Sequence, residues 1–135
     1  VAILQLLKKI HPTITIRLDI NRCLSLQDLS YFVKFFSYHD FDYLEEPAPS
    51  YLTLLDFSRQ TNLPIAVDES LHEVAIDEIK KLPSLKAAIV KPTLYGGVTN
   101  ISQLRNKLAK KIVLSSSFET TVGIDGIKKI HHYLK

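Results

Sequence analysis

At 135 residues the chain is long enough for one ordinary domain but short of the roughly 250 that close a (β/α)8 barrel. Its 46% hydrophobic and 23% charged residues exclude a disordered segment, and a net charge of +3, with Lys and Arg dispersed among acids, argues against a nucleic-acid partner. No apolar run of about 18 residues could cross a membrane, and the single cysteine, Cys23, rules out an internal disulfide framework and fits a reducing cytoplasm.

Residues 1–10 read as a helix leading into "ITIRLD", an apolar strand that ends on Asp19. Leu26, Leu29, Tyr31, Phe32, Val33 and Phe36 then recur with helical spacing behind Ser25, a residue suited to cap the helix. The strand "FDYLE" ends on Glu45, and a helix marked by Leu52, Leu54, Leu55 and Phe57 follows its cap, Ser50. "LPIAVD" ends on Asp68, and Val74, Ile76, Ile79 and Leu82 mark a third helix. "LKAAIVK" ends on Lys91, ahead of a helix carrying Ile101, Leu104 and Leu108. "KKIVLSSS" runs out in serines from Ser115, and residues 121–134 have the pattern of a closing helix.

The strand ends recur every 23–26 residues. Such a repeat of continuous apolar strands and helices predicts parallel βα units with right-handed crossovers. A doubly wound sheet satisfies the same pattern. What favours a barrel is that the polar residues cluster at the C-terminal ends of the strands, the face on which barrel enzymes build their sites. The expected fold is therefore α/β: an incomplete (β/α)8-type barrel of about five βα units. The lack of any methionine, even at position 1, also reads as a fragment.

Asp19, Glu45 and Asp68 end three consecutive strands. Three carboxylates at one mouth repel unless a cation offsets them, and oxygen ligands without Cys or His favour hard Mg²⁺ over zinc. Lys91 occupies the equivalent place on the fourth strand. Glu45 and Glu46 are adjacent, so either the pair faces water or something positive stands beside it. From composition alone the serines at 115–117 read as a polar loop, Gly96 and Gly97 as a close-approaching loop or an ordinary turn, and Glu69 and Glu119 as partners supporting the site or as solvated groups.

"LDIN" (18–21), "EEP" (45–47), "DES" (68–70) and "KPTLYGG" (91–97) resemble the enolase superfamily in its muconate-lactonising branch. With "SSSFETTVG" (115–123), the chain looks most like the o-succinylbenzoate synthases of menaquinone biosynthesis. The resemblance implies that Asp19, Glu45 and Asp68 hold Mg²⁺, with Asn21 supporting Asp19 and Glu69 standing behind the ligands. It implies that Glu46 points away from the metal, and that Lys91 stabilises or protonates the reacting substrate. Gly96, Ser115 and Ser116 would meet that substrate, a small-molecule carboxylate. The implied reaction is a lyase dehydration begun by proton abstraction α to a carboxylate. The same branch holds N-acylamino acid racemases and dipeptide epimerases, which leaves that alternative open beside a non-catalytic remnant. The branch places its general base in a K-x-K motif on the second barrel strand; no such spacing occurs here. The N-terminal capping domain and first barrel strands are expected to be absent too. This chain alone is thus expected to be inactive, and its open barrel edges invite self-association or a complementary chain.

Overall fold

Strand β1 (Ile16–Asp19) follows helix α1 (Ala2–Ile10), and the two open an alternation that continues through the computed structural model, which describes residues 1–134. After β1 come α2 (Leu26–Phe32), β2 (Phe41–Glu45), α3 (Tyr51–Gln60) and β3 (Ile65–Val67). The single-turn helices α4 (Ser70–Glu73) and α5 (Ile76–Ile79) lead to β4 (Leu85–Val90). The chain continues with α6 (Pro92–Tyr95), α7 (Gly97–Leu108), β5 (Lys111–Leu114) and α8 (Thr121–Tyr133). The strands follow one another in the sheet in chain order, and the pairs β1–β2, β2–β3 and β4–β5 are parallel. This is the α/β architecture of an incomplete (β/α)8-type barrel. Among the described residues no helix is long and apolar enough to cross a membrane.

Two compact units divide the chain, Val1–Lys86 and the part from Ala87 onward. In the first, β3 is buried throughout (Ile65, Ala66, Val67), which is why its sequence is a continuous apolar run without alternation. Phe32, Phe36 and Phe41 stack on one another with ring centroids 4.7–5.7 Å apart. Leu29, Leu44, Leu54 and Phe57 complete this core, each with at most 1% of its surface exposed. Burial of such a side chain contributes about 1.5–3 kcal/mol. In the second unit Ala87, Ala88, Ile89 and Val90 of β4 are buried, as are Ile101, Leu104 and Leu108 of α7.

The caps fall where the sequence places them. The Ser25 hydroxyl accepts from the Asp28 amide in a reciprocal capping box, and Ser50 accepts from Thr53. The third helix differs from its expected form. Val74, Ile76, Ile79 and Leu82 do not share one helix, because Val74 and Ala75 adopt extended backbone between α4 and α5. Ala75 offers no side-chain cap, and Pro83 biases Leu82 away from helical backbone, so one turn is all the segment supports.

Candidate metal site

The first unit carries the carboxylates. Asp19 and Glu45, the last residues of β1 and β2, stand opposite each other in the parallel register. Glu45 also pairs with Ala66 of β3, and Asp68 lies two residues beyond Ala66. Asp19 and Glu45 thus share one register position, and Asp68 follows the end of β3, two residues beyond the position opposite Glu45. Asp19 is exposed, Glu45 half-buried and Asp68 buried. Like charges directly opposite each other destabilise a sheet. The donor chemistry, carboxylate oxygen with neither thiolate nor imidazole, suits a hard divalent ion. Their side chains are not closed into a cage: among the described residues no group of three or more His, Cys, Asp or Glu is gathered as a metal-holding cluster.

Asn21 meets Asp19 through its backbone, its N–H donating to Asp19 Oδ1 over 3.0 Å. Asn21 and Arg22 both take left-handed backbone, φ 49° and 61°, and this turns the chain sharply after β1. Backbone bonds then run from Ile20 to the Glu45 carbonyl and from Arg22 to the Glu46 carbonyl, laying the loop along the end of β2. Glu69 precedes α4, half-buried and within electrostatic range of Arg22.

The Glu46 carboxylate is turned into the protein and does not reach water. It is 1% exposed, with φ 38°. Its Oε2 accepts from the Asp68 amide at 2.8 Å and the Ser70 amide at 3.4 Å. Its Oε1 accepts from the Ser70 hydroxyl and, at 3.4 Å, from Arg22 Nη2. Arg22 in turn grips Glu73 with both nitrogens, at 2.7 and 2.8 Å, and that grip holds the Glu73 carboxyl below its ordinary range. Something positive does stand beside the glutamate pair: Arg22. Sequence reasoning did not single out Arg22, Ser70 or Glu73; the signal was the need of a second, inward-facing glutamate for a cation and several donors.

The second unit carries the other candidates. Lys91 follows β4, half-buried, and its carbonyl accepts from Leu94 and Tyr95 at 3.0 and 2.9 Å to open α6. Gly96, at φ 87°, ends α6 and starts α7, a left-handed position that excludes most side chains. The Ser115 amide donates to the Val90 carbonyl at 2.9 Å, which extends the β4–β5 ladder one step and sets Ser115 beside the Lys91 position. Ser115 is half-buried and Ser116 exposed. Glu119, solvated or supporting by sequence, is a support. It accepts from the Thr93 hydroxyl at 2.6 Å and from the Ser117 amide, tying the serine loop to α6. The Thr93 hydroxyl first, and the amides after it, hold this carboxyl below its ordinary value.

A family model described as enolase C-terminal domain-like matches residues 1–114. The o-succinylbenzoate synthase of Haemophilus influenzae (strain Rd) is 35% identical over 125 residues, which cover 88% of this chain and 38% of that protein. A crystal structure of an enolase from Pseudomonas fluorescens Pf0-1 with bound magnesium, potassium and tartrate superposes with a TM-score of 0.78 at 18% identity. That likeness covers 96% of this chain and 31% of the other. The dipeptide epimerase of Enterococcus faecalis V583 gives 0.74 at 20% identity, over 92% of this chain and 38% of the other. At such identities the two structures speak for the fold alone. The chain spans about two fifths of the length of the curated relatives it matches. On the family model, and in agreement with the strand order and the residues that end the strands, the chain belongs to the enolase C-terminal domain-like family.

Proposed function

We propose that this chain supplies the metal-binding face, and part of the substrate-binding face, of an o-succinylbenzoate synthase-like lyase acting on a small-molecule carboxylate. The placement of the acids carries the reading: Asp19 stands opposite Glu45, and Asp68 immediately follows the next strand. Their mutual repulsion is useful only where a cation offsets it. The 35% identical synthase supports the choice of reaction, and the magnesium bound by the P. fluorescens enolase supports the choice of ion.

Asp19, Glu45 and Asp68 would hold Mg²⁺, which when bound supplies the positive charge that makes a proton α to a carboxylate acidic enough for a side-chain base. The Asn21 amide occupies one oxygen of Asp19 and so limits the orientations of that carboxylate. The Lys91 ammonium would stabilise negative charge as it develops on the substrate. Ser115 and Ser116 would offer hydroxyls to the substrate's succinyl tail, and Gly96 a bare backbone for close approach. In the dehydration the proton leaves the ring carbon that bears the carboxylate. The electron pair enters the ring as it becomes aromatic, the ring C–O bond breaks, and the departing hydroxide takes up a proton, balancing the one the base removed, to leave as water. The general base is assigned to none of these residues, since no K-x-K spacing is present.

Titration calorimetry with Mg²⁺ tests the reading. The wild-type chain binds, and Glu45→Gln and Asp68→Asn each weaken binding at least tenfold. Binding that is unchanged in both variants refutes the assignment.

A further inference from the structure

The Glu46 network sits between the three acids of the row, not on the row itself. β2 gives its last ladder bond to β3 when the Glu46 amide donates to the Ala66 carbonyl at 2.9 Å. Beyond that point Pro47 has no amide to offer. The Glu46 side chain takes over from the backbone, accepting the amides of Asp68 and Ser70. Its other oxygen accepts the Ser70 hydroxyl and Arg22 Nη2. A carboxylate has about four acceptor positions, and here four donors fill them. The donors come from the two loops that carry Asp19 and Asp68.

Strain points to the same place. Among the described residues five non-glycine residues have left-handed backbone; two of them, Arg22 and Glu46, belong to this network, and a third, Asn21, precedes Arg22. Such conformations persist where the surroundings over-determine them, and they collect at sites that need fixed geometry. Arg22 Nε is also buried there without a hydrogen-bond partner.

We propose that Glu46 is a positioning residue for the carboxylate row: a buried strap that holds the Asp68 turn and the Asn21–Arg22 loop against the end of β2. The proposal rests on reading Asp19, Glu45 and Asp68 as the Mg²⁺ ligands. A shape-conserving change, Glu46→Gln, keeps one acceptor oxygen and turns the other into a donor that faces donors. Ser70→Ala removes one hydroxyl and no charge.

Two readouts on the metal-free and Mg²⁺-titrated chain test it. In the metal-free chain the Asp68 and Ser70 amides of Glu46→Gln exchange with deuterium at least tenfold faster than in the wild type, with a smaller acceleration in Ser70→Ala. Titrated with Mg²⁺, Glu46→Gln binds at least tenfold more weakly, and Ser70→Ala about threefold. The Ser70→Ala result separates positioning from mere loss of negative charge. If Glu46→Gln does not fold, Ser70→Ala carries both readouts. Exchange within twofold of the wild type overturns the strap. Faster exchange with Mg²⁺ affinity within twofold of the wild type reduces Glu46 to a purely structural residue and also overturns the proposal. A wild-type chain that binds no Mg²⁺ overturns the reading of the row, and the exchange readout then decides separately whether the strap exists.

Discussion

Substitution at the two adjacent glycines after α6 gives a sharp test of how the Lys91 turn is built. Gly96 and Gly97 have nearly the same backbone, φ 87° and 82°, so alanine at either pays the same left-handed cost, about 1–2 kcal/mol. Their surroundings differ. A Cβ at Gly97 meets nothing within 4 Å, whereas one at Gly96 collides with the Asn100 amide. That amide donates to the Tyr95 carbonyl at 3.1 Å, and the collision forces it away. A lost hydrogen bond of this kind is worth roughly 0.5–1.5 kcal/mol. Gly96→Ala should therefore cost about 1.5–3.5 kcal/mol and Gly97→Ala about 1–2 kcal/mol, read by urea unfolding with linear extrapolation. The double variant Gly96→Ala/Asn100→Ala should cost less than the sum of its parts, because both changes remove one bond. Equal costs at the two glycines, or strict additivity in the double variant, would refute the role given to Asn100.

Two further outcomes follow from the same reasoning. Burial pushes the Asp40 carboxyl up, but the Ser37 amide, Lys8 and the Ser37 hydroxyl outweigh it and hold the group below its ordinary 3.8. A depressed acid contributes stability above its unfolded value and loses it as pH falls through the folded value. Asp40→Asn should thus lower stability by about 1 kcal/mol at neutral pH, and the difference should shrink as pH falls below 3.8, as measured by thermal melts across that range. Lys91→Ala, made in a protein that also supplies the general base, should lower turnover about 10²-fold. Mg²⁺ affinity by calorimetry should stay within twofold, and near-normal turnover would return Lys91 to a surface role.

Strand ends were legible because each is set by local chemistry. A charged residue closes each apolar stretch, Asp19 and Glu45 as the last residues of β1 and β2 and Lys91 just after β4, although Arg17, Asp42 and Lys86 lie within those strands. The caps at Ser25 and Ser50 were legible for the same reason, each acting within three residues of itself. The third helix was misjudged because periodicity cannot register an uncapped start at Ala75 followed closely by Pro83. α8 forms where its periodicity places it, yet none of its residues is fully buried, and Val122 is 81% exposed. Apolar spacing specifies a helix, not what covers it.

The adjacent glutamates show where local reading stops and what extends it. Glu46 follows the end of β2 with left-handed backbone, and its carboxylate is turned into the protein. An unpaired buried carboxylate is prohibitively costly, and the fold has to bring it a cation and several donors. Those partners lie 22–24 residues away in sequence, out of reach of any short-range pattern. They are nevertheless placed regularly: Arg22 comes three residues after Asp19, and Ser70 two after Asp68. Each outer acid of the row is thus followed at once by a residue that satisfies the inward glutamate of the middle strand. The acids and the strap share the same loops, so a change that loosens one loop moves a row carboxylate and exposes Glu46 in the same step. The row and its support therefore form one cooperative unit, and its signature in a sequence is Asp-x-x-Arg, Glu-Glu-Pro and Asp-x-Ser on three successive strands rather than three isolated carboxylates.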